Sequence, residues 1–289
     1  MTMTLPPFRY VVPVRLDDAL DLLAEHGPGA RVMAGGTDII VAMRERGLRL
    51  GCLVDLKHIP GLAAIGVGPS GSLSIGSLTP VRDVERSAVV RDGWGVLASA
   101  AGMLASIQVR NKATLGGNIC NASPAADLAP PLLVLDAVAV AYGRQGERSI
   151  PMAQLFAGPG RTTLNGDILT GFTIPPMPGG ARAVHLKHGP RNAMDIAIAG
   201  VAVLAVPDAS GTRWADARIA LGSVAPTPIR ATAAEAALRG ALIGPESIDE
   251  AARLAAEAAS PIGDVRGSAD YRRAMIAALT RRALQEVSA

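Results

Sequence analysis

Apolar Leu16, Ala19, Leu20, Leu22 and Leu23 recur at helical spacing, with Asp17 and Asp18 in the first turn and Gly27 at the end. Leu16–His26 therefore predicts an amphipathic helix whose acids lie at the positive end of its dipole. Arg31–Ala34 predicts a short strand running into Gly35-Gly36-Thr37-Asp38, followed by a second helix through Arg46 and a strand at Cys52–Leu56. That order, β–glycine turn–α–β, is an α/β unit. From Leu62 the period falls to two: Ala63–Val67 and Ser72–Ile75 flank Gly68-Pro69-Ser70-Gly71 and predict a hairpin. Thr79 is placed to cap a short helix with Pro80 at its first position. Trp94–Ser106 then predicts a helix, Gln108–Asn121 a polar glycine-bearing loop, Leu128–Leu135 a buried helix and Ala137–Tyr142 a strand.

The stretch Phe172–Gly180 carries three prolines and two glycines and predicts a linker. Beyond it, Ala183–Lys187, Ile196–Val206 and Ala217–Val224 predict strands, and helices close the chain. Ser247-Ile-Asp-Glu250 fits a capping box, and Ser268 is placed to cap a last helix through Val287.

Composition narrows the function. At 289 residues, 49% hydrophobic and 18% charged, the chain has apolar surface for two or three domains. Its aromatics are too few (2 Trp, 3 Tyr, 3 Phe) for base-stacking platforms, and 28 basic against 25 acidic residues make no electrostatic funnel. A nucleic-acid partner is not expected. Cys52 and Cys120 cannot ligate an all-cysteine iron–sulfur cluster or build a disulfide framework, which points to a reducing compartment. Leu128–Tyr142 is broken by Pro130, Pro131 and Asp136, and Ile196–Val206 is short, so neither reaches the ~18 apolar residues of a spanning helix. With no basic start and apolar run of a secretory signal in MTMTLPPFRYVVPVR, a soluble cytoplasmic protein is expected, with no membrane insertion.

Gly66-Val-Gly-Pro-Ser-Gly71 matches the dinucleotide fingerprint formally, but strand-like Ser72–Ile75 follows where a helix N-terminus is needed, so it reads as a hairpin turn. The histidines, His26, His58, His185 and His188, lack metal-ligand spacing and read as surface or structural. Two other glycine segments carry chemistry. In Val32-Met33-Ala34-Gly35-Gly36-Thr37-Asp38-Ile39, a double glycine between strand and helix lets consecutive amides converge on an anion, although a plain βα turn reads equally well. Thr114-Leu115-Gly116-Gly117-Asn118 repeats that logic, and two such arms suggest closure on one diphosphate. Arg110 and Lys112, just upstream, read as solvated loop charges. Asp127 reads as a helix N-cap or an acceptor for a ligand hydroxyl rather than a general base.

These residues carry a resemblance. Ala34–Asp38, Ile75-Gly-Ser-Leu-Thr79, Thr114–Asn118 and Ala122-Ser-Pro-Ala-Ala-Asp127 resemble the FAD-binding (medium) subunit of the xanthine dehydrogenase / carbon monoxide dehydrogenase family of molybdenum hydroxylases. Past the linker, Arg191–Ile196, Leu221-Gly-Ser-Val-Ala-Pro-Thr-Pro228 and Asp264–Arg272 resemble the C-terminal domain of the same subunits. The resemblance implies an α+β, p-cresol methylhydroxylase-type FAD-binding fold: two α/β subdomains, at residues 1–60 and 61–176, and a C-terminal α+β domain with a small antiparallel sheet at 181–289. It implies non-covalent FAD with the diphosphate and ribityl chain on Val32–Ile39 and Thr114–Asn118, contacts from Asp127 and from Ile168, Leu169 and Thr170, and Lys187 beside the flavin ring. Leu104 stands where some relatives stack an aromatic on that ring. No catalytic residue and no metal ligand is implied here. The molybdenum cofactor and two-iron two-sulfur clusters would belong to a large molybdopterin subunit and a small iron–sulfur subunit, in a dimer of heterotrimers. This chain would then pass electrons from those clusters to an external acceptor. The alternative is a stand-alone FAD-dependent oxidase of the same fold class.

Overall fold

The computed structural model describes residues 5–191 and 193–289. The chain opens with β1 (Arg9–Val11), α1 (Leu16–His26), β2 (Ala30–Met33), α2 (Ile39–Glu45) and β3 (Cys52–Asp55). β3 pairs in parallel with both β1 and β2, an arrangement that requires crossovers, and α1 and α2 are among them. Cys52 and Val54 pack with Ala19 and Leu20 of α1, while Leu53 packs with Met43 of α2. A helix on each face explains why β3 is buried at all four positions.

The next stretch holds β4 (Ile65–Val67), β5 (Leu73–Gly76), α3 (Val81–Arg86), α4 (Ala88–Gly93), α5 (Gly95–Met103), α6 (Ile107–Arg110), α7 (Leu115–Cys120), α8 (Ala129–Val134), β6 (Val138–Gly143), β7 (Gly146–Pro151), α9 (Met152–Leu155), the small pair β8 (Phe156–Gly158) and β9 (Arg161–Thr162), and β10 (Ile168–Ile174). Five of these strands form an antiparallel sheet in the order β4-β5-β10-β6-β7. The hairpin expected around Gly68–Gly71 is the β4–β5 pair. Three expectations shift. Pro80, not Thr79, is the N-cap of α3, and the Thr79 hydroxyl instead points 3.5 Å from the Ala64 carbonyl. The linker starts later than expected, because Phe172–Ile174 complete the central strand β10 with Phe172 buried; Pro175, Pro176 and Pro178 follow its end. Gln108–Asn121 is not a continuous loop, since it contains most of α6 and all of α7.

The C-terminal part is a meander of β11 (Arg182–His188), β12 (Ala199–Pro207), β13 (Trp214–Gly222) and β14 (Ile229–Arg230), with α10 (Thr232–Leu238), α11 (Pro245–Ala258) and α12 (Ala269–Ser288). Alternate residues of β12 serve different cores: Ala202 and Leu204 join the cluster of α5 and α8, whereas Val201, Val203 and Ala205 pack beneath the closing helices. A strand buried on both faces reads as an uninterrupted apolar run, which is what Ala199–Ala205 is. Ser268 caps α12 as expected, accepting from the Tyr271 amide at 3.1 Å. The capping box at Ser247 does not form. Gly244 is the N-cap of α11, and the Ser247 hydroxyl donates back to the carbonyls of Leu242 (2.7 Å) and Gly244 (3.1 Å). Among the described residues no helix is long and apolar enough to cross a membrane, and no cluster of His, Cys, Asp or Glu is arranged for a metal ion.

Candidate functional site

The first glycine segment leaves β2 at Met33 and enters α2 at Ile39, with Gly36 at φ +78°, a conformation glycine takes without Cβ strain. Among the described residues, the amides of Gly35, Gly36, Thr37 and Asp38 donate to no protein acceptor. Four successive unpaired amides, on a turn half-buried from Gly35 to Thr37 and exposed at Asp38, offer donors suited to an anion. The second segment lies against it. A Cβ on Gly35 would stand 1.8 Å from the Lys112 carbonyl oxygen, and one on Gly117 would stand 3.8 Å from the Ala34 Cβ. Across the same seam the Asn121 side-chain amide donates to Asp38 Oδ1 at 3.2 Å.

The two segments do different work. Thr114 caps α7, its Oγ1 accepting from the Gly117 amide at 3.0 Å. The Leu115 amide donates to the Thr79 carbonyl (3.0 Å) and the Gly116 amide to that of Ser77 (2.8 Å). The second Gly-Gly is thus the first turn of a helix whose amides are engaged, not a second loop of free donors. Gly116 is needed for contact: a Cβ there would fall 2.6 Å from the Ser77 Cβ and 2.7 Å from its carbonyl oxygen. What this side contributes is side chains, Asn118 from α7 and Ser77 from the loop after β5. Ser77 Oγ and Asn118 Oδ1 are buried and have no hydrogen-bond partner in the protein.

β10 supports this floor. Its ladder to β6 is irregular between Leu169 and Gly171, where Thr170 donates its hydroxyl to Val140 O (3.0 Å) and accepts from the Ser77 amide through its carbonyl (2.9 Å). Ile168 and Leu169 turn their side chains into the cores, leaving Thr170 half-buried.

A second group gathers around β11. Lys187 Nζ donates to Asp127 Oδ2 at 2.7 Å and to the Met103 carbonyl at 3.3 Å. Both side chains are nearly buried, at 12% and 11% exposure, so neither is a solvated surface charge. Asp127 is not a helix N-cap either; that position in α8 is Leu128, and the carboxylate serves Lys187. Burial pushes the Asp127 carboxyl up from its ordinary value, and the Lys187 ammonium only partly offsets this. Leu104, the C-cap of α5, is 7% exposed and packs in the core. Arg110 departs from the expectation of a solvated charge: it is 7% exposed, gripping Glu85 and two carbonyls. Lys112 is exposed, as read from the sequence.

Matches to known families cover the whole of this framework. The description "FAD binding domain in molybdopterin dehydrogenase" fits residues 6–177, and "CO dehydrogenase flavoprotein C-terminal domain" fits 184–287. The chain belongs to this family of FAD-binding medium subunits. It is 33% identical to the xanthine dehydrogenase FAD-binding subunit of Escherichia coli O157:H7, over 95% of this chain and 94% of that one. It is 33% identical to the carbon monoxide dehydrogenase medium chain of Hydrogenophaga pseudoflava, over 96% of each. Among solved structures, carbon monoxide dehydrogenase from Hydrogenophaga pseudoflava, in a form lacking the Mo-pyranopterin moiety of the molybdenum cofactor, superposes with a TM-score of 0.95 at 34% identity, covering 99% and 98% of the two chains. The fold is the mixed helix-and-sheet, p-cresol methylhydroxylase-type architecture that the motifs implied, and the protein is an oxidoreductase subunit.

The residues of this medium subunit fit the FAD that its family binds. A turn of free amides suits a diphosphate, and orphaned buried oxygens on Ser77 and Asn118 suit ligand hydroxyls or ring N–H groups. Sequence reading missed Ser77, whereas His185, read as surface or structural, is a buried structural histidine. Ser77 lies within the quoted Ile75–Thr79 motif, but only the approach of Gly116 marks its importance. His185, on the face of β11 that also carries Lys187, is 2% exposed; burial, helped by the nearby ammonium, pushes its pKa down to about 4, so it is neutral near pH 7. Cys120 ends α7 exposed, while Cys52 is buried in the first sheet.

Proposed function

We propose that this medium subunit holds FAD non-covalently across the seam between the first glycine turn and the segment leading into α7, and relays electrons through it. The observation that carries this reading is the approach of Gly35 to the Lys112 carbonyl, because it seats the turn with the unpaired amides of Gly35–Asp38 against the segment that leads into α7. The diphosphate would take amides of Gly35–Asp38 within Val32–Ile39, and Asn118 and Ser77 would take polar groups of the adjoining chain. Thr114–Gly117 would shape the seam, with Thr170 beneath it. Asp127, Lys187 and the Leu104 turn would sit at the flavin end. FAD in such a site supplies a carrier that accepts electrons from one-electron donors and passes on one or two. The protein's part is to hold it and to set its potential: an ammonium such as Lys187 near the ring favours the negative charge gained on reduction.

Electrons would come from two-iron two-sulfur clusters of a small partner subunit and originate at the molybdenum cofactor of a large one, in a dimer of heterotrimers in the cytoplasm. The acceptor would be external. Residues 1–60, 61–176 and 181–289 would be the three domains. The stand-alone oxidase alternative gains no support, since the full-length relatives above are named as a subunit and a medium chain.

Gly35→Ala tests the seam. The purified wild-type protein should carry about one FAD per chain, released by acid without proteolysis. Gly35→Ala should lose most of it while circular dichroism stays native-like, since the added carbon forces the two segments apart. A folded wild-type chain that takes up no FAD overturns the reading.

A further inference from the structure

Arg110 ends α6, and it and Arg272 are the buried arginines among the described residues. Its Nη1 donates to the Leu104 carbonyl at 2.8 Å and to the Ala105 carbonyl at 3.3 Å, while its Nε donates to Glu85 Oε2 at 2.8 Å. Glu85 is itself braced, its Oε1 accepting from Arg82 at 2.7 Å. The turn held in this way is unusual: Ala105 has φ +42°, the left-handed region that residues with a Cβ avoid. One residue earlier, the Met103 carbonyl accepts from Lys187. Three successive carbonyls, of Met103, Leu104 and Ala105, are therefore held by two cations arriving from different elements, Lys187 from β11 and Arg110 from α6.

A buried guanidinium with its fork spent on backbone carbonyls is more than a counter-charge for Glu85. Without it, the Leu104 and Ala105 carbonyls lose their charged donor, and the left-handed conformation of Ala105 loses that brace. Met103 O would then move, and with it one of the two acceptors that aim the Lys187 ammonium.

We propose that Arg110 is a positioning residue for the flavin end of the site: it locks the Met103–Ala105 turn and, through Met103 O, sets the orientation of Lys187. This rests on the FAD reading above, and it predicts that Arg110 and Lys187 act on the flavin as one unit.

The test is a double-mutant cycle on the full-length, FAD-loaded protein, with the flavin reduction potential as the readout and FAD content as the control. Arg110→Met should retain about one FAD, because the glycine turn is untouched. It should shift the potential in the same direction as Lys187→Met. The double variant should shift it no further than Lys187→Met alone, since residues acting as one unit are non-additive. Amide exchange over residues 103–106 in FAD-free Arg110→Met should be faster than in the wild type. An Arg110→Met protein with wild-type potential, a double variant whose shifts sum, or a Lys187→Met protein with unchanged potential would each overturn the proposal. If Arg110→Met does not fold, Arg110→Leu, which also removes every side-chain N–H donor, is judged by the same criteria. A wild-type protein that binds no FAD fails the underlying reading instead, and is distinguished at the first measurement.

Discussion

Asp55 closes β3 as a fully buried carboxylate, and its neighbours account for that. The Tyr10 hydroxyl donates to it, as do the Lys57 amide (3.0 Å) and the Lys57 ammonium (2.9 Å). Burial pushes its pKa up, but the Tyr10 hydrogen bond and the Lys57 amide and ammonium together outweigh burial and hold it below the ordinary 3.8. A carboxyl whose pKa is lower folded than unfolded contributes stability that is present above the unfolded value and is lost as pH falls through the folded one. Asp55→Asn should therefore cost about 2–3 kcal/mol at neutral pH, the scale of hydrogen bonds to a charged group. The gap to the wild type should narrow as the pH drops below the ordinary 3.8. Urea denaturation of both proteins at neutral and at acid pH checks it, and a gap of constant size would refute the assignment. At this scale residue type restricts role only in part: Thr114, read as part of an arm on a diphosphate, is seen capping α7. Arg110 was misread because nothing local to Gln108–Lys112 indicates that Glu85, 25 positions away, will bury it.

At the scale of elements, α7 is a helix that composition alone would not sustain. It has six residues, two of them glycine, and glycine costs about 1 kcal/mol relative to alanine inside a helix. Its first amides are tied to the Thr79 and Ser77 carbonyls and its third to the Thr114 hydroxyl, so tertiary contacts and a cap replace propensity. Removing the cap in Thr114→Ala should cost about 1–2 kcal/mol and weaken FAD binding, while Thr114→Ser should restore most of both. Chemical denaturation and an FAD titration of the three proteins decide this; full FAD affinity in Thr114→Ala would show that the cap does not support the seam. The glycines made this stretch read as a loop. One of them, Gly116, is what allows α7 to approach Ser77 so closely.

Across the whole molecule, the C-terminal sheet is tied to the rest by a shared core and by one nearly buried ion pair. β12 lends Ala202 and Leu204 to the core of α5 and α8, and β11 delivers Lys187 to Asp127 across 60 positions of sequence. Expressed with its neighbouring genes, the protein should co-purify with one larger molybdenum-containing and one smaller iron–sulfur-containing chain, identified by metal analysis and mass spectrometry. If it purifies alone and turns over an organic substrate with oxygen, the oxidase alternative takes its place.

Part of the order of helices and strands was carried by local signals: helical spacing with end signals at Leu16–His26 and Ser268–Val287, and alternation around the Gly68–Gly71 turn. So was the presence of two glycine segments, because closely approached backbone can be built from few other residues. What only the tertiary structure decided is which amides remain free, which charges are buried and which side chains meet. The donors of the first turn stay unpaired while those of α7 are consumed, although both sequences read Gly-Gly beside a threonine. The physical reason is that hydrogen-bond satisfaction and burial depend on partners distant in sequence, Ser77 and Thr79 for α7, Glu85 for Arg110, Asp127 for Lys187, and no local pattern specifies them.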